Sequence, residues 1–384
     1  MCPLDRQKAR KRPYRVLTTL GGGRCAADPV ACGRMRLIAG LSVIALLSGI
    51  VTAGATPANA SHGPQWQLLQ TGTTAQLRGL SVVDGKTAWA SGSLGTVLRT
   101  TDGGQTWASV GPPDTATLQF RDIEAFDANT AVALSIGSGE DSRIYTTTDG
   151  GKSWTESFRN PDAKAFYDCI AFFDRRNGLA LSDPVDGKFR LLSTSDGGKS
   201  WKVLPTDGMP AAQPAEFAFA ASGQCLVTSG HKDAWIASGG DAKARVFHTK
   251  DRGLNWTVSD TPIQSGASAG VFSVAFRDTR TGIAIGGDFN PQNPTKDAVA
   301  RTGDSGKTWK KPPQAPKGYR SGATYIPYVP TGILAVGPSG SDISIDGGNH
   351  WYQFDSGSFD TVDCGWDASC WASGEKGRIA KIRW

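Results

Sequence analysis

One eight-residue pattern recurs six times along the chain. It reads "TTDGGQTW" at 100–107, "TTDGGKSW" at 147–154, "TSDGGKSW" at 194–201, "TKDRGLNW" at 249–256, "TGDSGKTW" at 302–309 and "SIDGGNHW" at 344–351. All six share Asp-x-Gly-x-x-Trp. A catalytic group is rarely needed six times in one chain, whereas a turn used once per module is expected of a repeat. The Asp oxygens suit backbone N–H groups, the Gly supplies a positive φ, the Ser or Thr caps locally, and the Trp buries a large apolar area. Asp102, Asp149, Asp196, Asp251, Asp304 and Asp346 are therefore read as structural.

The boxed aspartates lie 47, 47, 55, 53 and 42 residues apart. Periods of this length with turn signals between short apolar runs mark the blades of a β-propeller. The unit "LRGLSVVDGKTAWASGSLGTVLRTTDGGQTWASV" reads as strand, Asp-Gly turn, strand, Gly-rich turn, strand, boxed turn, strand. Four short strands per unit are expected, and helical periodicity is absent after residue 60. After the sixth box, "CWASGEKG" echoes "AWASGSLG" of the first unit, but the chain ends after three strands. The missing fourth is supplied by "QWQLLQTG" at 65–72, which resembles "SWKVLPTDG" after the third box. The expectation is an all-β fold: one seven-bladed β-propeller over 61–384, with blades of about 46 residues and a ring closed by the N-terminal strand.

The first 60 residues differ in kind. Met35-Arg36, an apolar stretch at 37–51 and small residues to Ala60 read as a secretory signal at 35–60. The apolar stretch is too short for a membrane helix. Residues 1–34 are read as an upstream extension from a start taken too early; a twin-arginine export segment is the alternative. The first 60 residues hold nine of the 41 Lys/Arg and two of the 35 Asp/Glu, so the remainder carries 32 and 33, a net of −1. No global attraction to nucleic acid or anionic lipid survives that subtraction. The expected location is periplasmic or secreted. Cysteine usage agrees with export, since Cys169, Cys225, Cys364 and Cys370 remain for an oxidising compartment. Cys364 and Cys370 flank "GWDAS", a hairpin, and form a candidate disulfide, with two free core thiols as the alternative. Without Cys-x-x-Cys and with four histidines in all, neither metal nor cofactor is expected.

The box and the four-strand unit around it resemble the Asp-box, or bacterial neuraminidase, repeat of sialidases, xyloglucanases, sortilin-type receptors and photosystem II stability/assembly factors. The chain looks most like the last group over 64–384. The likeness rests on "GLSVVDGKTAWASGSLGTVLRTTDGGQTW", the echo "CWASGEKGRIAKI", seven units and a single exported domain. The resemblance implies a non-enzymatic, monomeric propeller that binds a membrane-protein or periplasmic protein client and assists assembly of a membrane complex. It would lie in the thylakoid lumen if the host is photosynthetic. In photosynthetic members, arginines on one face contact the newly made reaction-centre protein.

In a propeller, the starts of the inner strands and the loops between second and third strands share the channel mouth. On this chain the inner-strand starts carry Arg78, Arg121, Tyr167, Glu216, Phe272, Arg320 and Asp360. Three arginines there suit a carboxylate or acidic peptide; the alternative is structural pairing with Asp122, Asp168 or Asp360. The strand-two-to-three loops add Asp183 and Glu375, and two long stretches, 229–245 and 286–301, add His231, Trp235, Asp288 and Asn290. The client-binding candidates are thus Arg78, Arg121, Tyr167, Asp183, His231, Asp288, Arg320 and Glu375. A glycan-active hydrolase of sialidase type is the alternative, with the arginines on a carboxylate and two of Asp183, Asp288 and Glu375 as acid and base. Against it, no "RIP" signature occurs and the chain has room for one propeller only.

Overall fold

The structure is a computed structural model that describes residues 63–384; the expected extension at 1–34 and signal at 35–60 lie outside the described residues. These residues form seven small antiparallel sheets in a ring, a seven-bladed β-propeller. Blade 1 runs from β2(Leu77–Val82) to β5(Ala108–Ser109), and blade 2 from β6(Gln119–Ala125) to β9(Thr155–Arg159). Blade 3 spans β10(Tyr167–Phe172) to β13(Lys202–Val203), and blade 4 β14(Leu226–Ser229) to β17(Trp256–Asp260). Blade 5 spans β18(Ala269–Phe276) to β20(Val299–Thr302), and blade 6 β21(Gly322–Tyr325) to β24(Tyr352–Asp355). Blade 7 combines β25(Thr361–Cys364), β26(Cys370–Ser373) and β27(Ile379–Arg383) with β1(Gln65–Leu69), which pairs antiparallel along the whole of β27. Among the described residues no helix is long and apolar enough to cross a membrane.

The ring holds because the small and apolar middle strands are buried on both faces and pack blade against blade. The box repeats one geometry. In the first, the hydroxyls of Thr100 and Thr106 and the Thr106 N–H all donate to Asp102, while Gly103 and Gly104 take φ of 78° and 84°. Arg252 and Ser305 replace the first of these glycines in two boxes and accept the same left-handed backbone, at φ 60° and 69°. The box tryptophans reach between blades: Trp107 meets Trp371 and Trp154 meets Trp89, each edge-on at 6.0 and 6.3 Å. The Thr106 hydroxyl chiefly holds the Asp102 carboxyl down at about 2, and Ser153 does the same for Asp149.

Two expectations need correction. Blade 5 has three strands, not four. After its box Trp309 the chain meets Pro312 and Pro313, which lack the N–H a ladder needs, and only Arg301 and Lys310 pair there. The stretch 229–245 is not one long loop, because 233–238 forms β15(Asp233–Ser238) and Trp235 is 0% exposed in the core. A second disulfide, Cys169–Cys225, accompanies Cys364–Cys370 and ties blade 3 to blade 4.

Candidate functional site

Two faces are distinguished by their turns. On one, each boxed turn hydrogen-bonds the strand-one-to-two turn of its own blade, as in Gly103 N–H to Lys86 O and Arg252 N–H to Lys232 O. On the other, strand-two-to-three loops meet the starts of the inner strands, as in Gly95 N–H to Leu118 O and Gly377 N–H to Ala75 O. We call these the box face and the loop face.

The inner strands share a bulge near the loop face. One residue is left out of the ladder at the same step: Arg78 in β2, Arg121 in β6, Asp168 in β10 and Phe272 in β18. The pairing of Thr361 with Ser373 puts Asp360 in that place in blade 7. A bulge re-aims its extra side chain. Here it brings Arg78 to 3.8 Å from Asp360, which also accepts from Gln76 Nε2 at 3.0 Å. Burial pushes the Asp360 carboxyl up, opposed by Arg78, by Gln76 and by Arg121 beyond it. Glu375 stands exposed in the strand-two-to-three turn of the same blade, close enough to add to that upward push. Arg78, Arg121, Asp360 and Glu375 thus gather across blades 7, 1 and 2, with both arginines partly exposed.

The remaining candidates fall elsewhere. Tyr167 is one residue short of the bulge; it is 1% exposed, packs edge-on to Phe158 at 5.4 Å, and burial pushes its hydroxyl up to about 12. Arg320 is likewise one step early. A Cβ on Gly337 would touch Arg320 Cα, just as one on Gly92 would touch Leu77 Cα, so Arg320 occupies the core step of Leu77. It is 0% exposed, with Nε and Nη2 each 2.6 Å from Asp342 and Nη1 bonded to Tyr319 O and Ser339 Oγ. Glu216 is buried against Arg245 and Ser238. Asp183, 4% exposed, accepts the Ala218 N–H, and burial raises its carboxyl to about 6. Asp288, 7% exposed, is taken up by Ser268, Asn290 N–H and Asn293 of its own loop. His231 lies in the turn before β15, on the box face, where its carbonyl accepts from Arg252.

The sequence reading missed the largest feature of the mouth. In blade 4, Phe217 bridges Gly239 and Cys225 O accepts from Ala237 N–H, so seven residues, 218–224, stand where other blades have two. This insert crosses the channel. Asp183 of blade 3 accepts Ala218 N–H, Arg121 of blade 2 donates to Ala220 O at 2.9 Å, and Thr361 of blade 7 donates to Ser222 O at 3.0 Å. Gln224 donates to Val362 O and accepts from Ser273 of blade 5 and Ala323 N–H of blade 6. Phe219 stacks on Phe272 at 3.7 Å, with Phe217, Phe289 and Tyr319 around the pair. The only signal in the sequence was the length of 202–225, too long for one turn and one strand.

Behind the insert, on the box-face side, a cavity of 340 Å³ is lined by Asp122, Glu124 and Asp363 among others. Burial raises all three carboxyls, Asp363 to about 6. Asp122 and Asp363 accept the Ile170 and Val82 N–H groups of the following blades, each at 2.7 Å, and so fasten neighbours together.

No protein-family model and no curated protein matches the sequence. Solved structures do. The structure described as YCF48 bound to D1 peptide matches with a TM-score of 0.58 and 18% identity, over 82% of this chain and 96% of that one. YCF48 from Cyanidioschyzon merolae matches with 0.58 and 15%, over 83% and 98%. The GH74 xyloglucanase from Xanthomonas campestris matches with 0.58 and 15%, over 83% of this chain but 53% of its own. At these identities the likeness establishes a shared fold: the chain has the propeller architecture found both in YCF48 and in part of a GH74 enzyme.

Proposed function

We propose that this chain is a non-enzymatic, exported propeller of the photosystem II assembly factor type that binds a protein client at its loop face and assists a membrane complex. Its place of action on this reading is the periplasm or the cell exterior, or the thylakoid lumen in a photosynthetic host. The supporting observation is the pair Arg78 and Arg121, set at the same bulge step of adjacent blades and partly exposed at the mouth. Guanidinium groups so placed suit a carboxylate. The YCF48 ring, nearly the same length, has been solved with a D1 peptide bound.

The GH74 neighbours give the hydrolase reading a footing of its own. It needs two carboxyls roughly 5–10 Å apart across a bond. Of the three candidates, Asp183 is engaged by the insert of blade 4, Asp288 is engaged within blade 5, and Glu375 stands in blade 7. That division favours the client-binding reading.

The test uses the purified chain as bait on solubilised membranes of its source, beside variants Arg78→Glu and Arg121→Glu. Arg320 is unsuitable because its loss strikes the core. A membrane protein recovered by the wild type and lost by both folded variants is the expected result. Recovery of none, with turnover of a glycoside panel, would favour the hydrolase.

A further inference from the structure

The insert at 218–224 is a peptide bound to the rest of the ring. Three of its backbone groups are captured by side chains of other blades, at Asp183, Arg121 and Thr361. Its one aromatic side chain, Phe219, is 2% exposed in an aromatic seat built by Phe272, Phe217 and Phe289. Positions 218 and 220–223 are small, Gln224 anchors the far end through its side-chain amide, and a Cβ on Gly223 would meet the Asp122 carboxylate at 2.4 Å. Side chains that fix backbone carbonyls, beside one pocket for an aromatic ring, are the elements of extended-peptide recognition. The ring itself does not need the insert, since blades 1, 2, 3 and 5 turn the same corner with two residues.

We infer that the channel mouth is a seat for an extended peptide, one aromatic residue followed by small ones, and that 218–224 is an internal occupant that a client segment displaces. The inference rests on the client-binding reading and names the segment the site takes. Displacement is local: Phe217 stays bridged to Gly239 and Cys225 stays bonded to Cys169, so the insert is held at both ends while it leaves. Occupancy in cis competes with any client at a high effective concentration, so the closed ring binds weakly.

The experiment uses the full chain and the capped peptide Ala-Phe-Ala-Ala-Ser-Gly, a copy of the insert's own sequence. Residues 219–223 are deleted, leaving Ala218 and Gln224 between Phe217 and Cys225, the number the other blades use. A second variant, Phe219→Ala, keeps the length and empties the aromatic seat. Both are checked by circular dichroism and titrated by calorimetry beside the wild type. The expected result is binding to the deletion variant at least tenfold tighter than to the wild type, with Phe219→Ala between them. If the deletion variant does not fold, tighter binding by Phe219→Ala supports the inference and wild-type-like binding overturns it. Folded variants that bind no better than the wild type overturn it as well. That failure would leave client capture by the wild type, and its loss in Arg78→Glu, untouched as a separate result.

Discussion

At the residue scale, ionisable groups divide into two sets with opposite pH behaviour. The box aspartates are held down: Asp102, Asp149, Asp304 and Asp346 at about 2. For the last two, burial pushes upward and the hydrogen bonds outweigh it. Their stabilisation is complete above the ordinary value near 3.8 and is lost as pH falls towards 2. Asp183 and Asp363 are pushed up to about 6 by burial, so their contribution is complete below 3.8 and fades as pH rises to 6. Melting temperature should therefore peak near pH 4, fall steeply below it, and decline more gently up to pH 6. Asp363→Asn should flatten the upper slope and leave the acid limb unchanged; an unaltered slope would contradict the assignment. Arg320 gives a second residue-scale test. Arg320→Ala leaves the Asp342 carboxyl buried without its partner, and denaturant unfolding should register a loss of about 3–5 kcal/mol. Arg320→Met with Asp342→Leu should cost clearly less than the single change. Equal costs would mean the pair is not coupled.

At the element scale, the strand that closes the ring carries a distinct role. β1 covers the open edge of β27, and its Trp66 packs on Phe354 and Phe359 at 5.7 and 5.4 Å while its indole N–H bonds Ser341. Removing 63–70 should lower the melting temperature and promote association through the exposed edge, measurable by light scattering. A truncated ring that melts and stays dispersed like the wild type would contradict closure. Elements also explain what the sequence could convey. The boxes were readable because Asp, Gly and Trp are each demanded by one local geometry, and the closing strand because "QWQLLQTG" repeats a pattern used elsewhere in the chain. The mouth was not readable at the same resolution. A bulge shifts side-chain direction by one residue, so Tyr167 and Arg320 read like channel positions and are core positions. The partners that decide exposure, Asp342 for Arg320 and the insert carbonyl for Arg121, lie 22 and 99 residues away.

At the scale of the whole molecule, one ring carries two unlike ends. The loop face presents Arg78, Arg121, Asp360 and Glu375 beside the aromatic cluster of Phe217, Phe289 and Tyr319. The box face opens on a cavity with three carboxyls, and the insert separates the two. A client recognised by guanidinium groups belongs at the first end and not the second. The most direct test is hydrogen–deuterium exchange of the ring alone and with the client recovered by the bait experiment. The expected result is protection at 76–79, 119–123 and 374–378 on the loop face, with turns 172–178 and 229–233 unchanged. Protection confined to those box-face turns would contradict the proposed site.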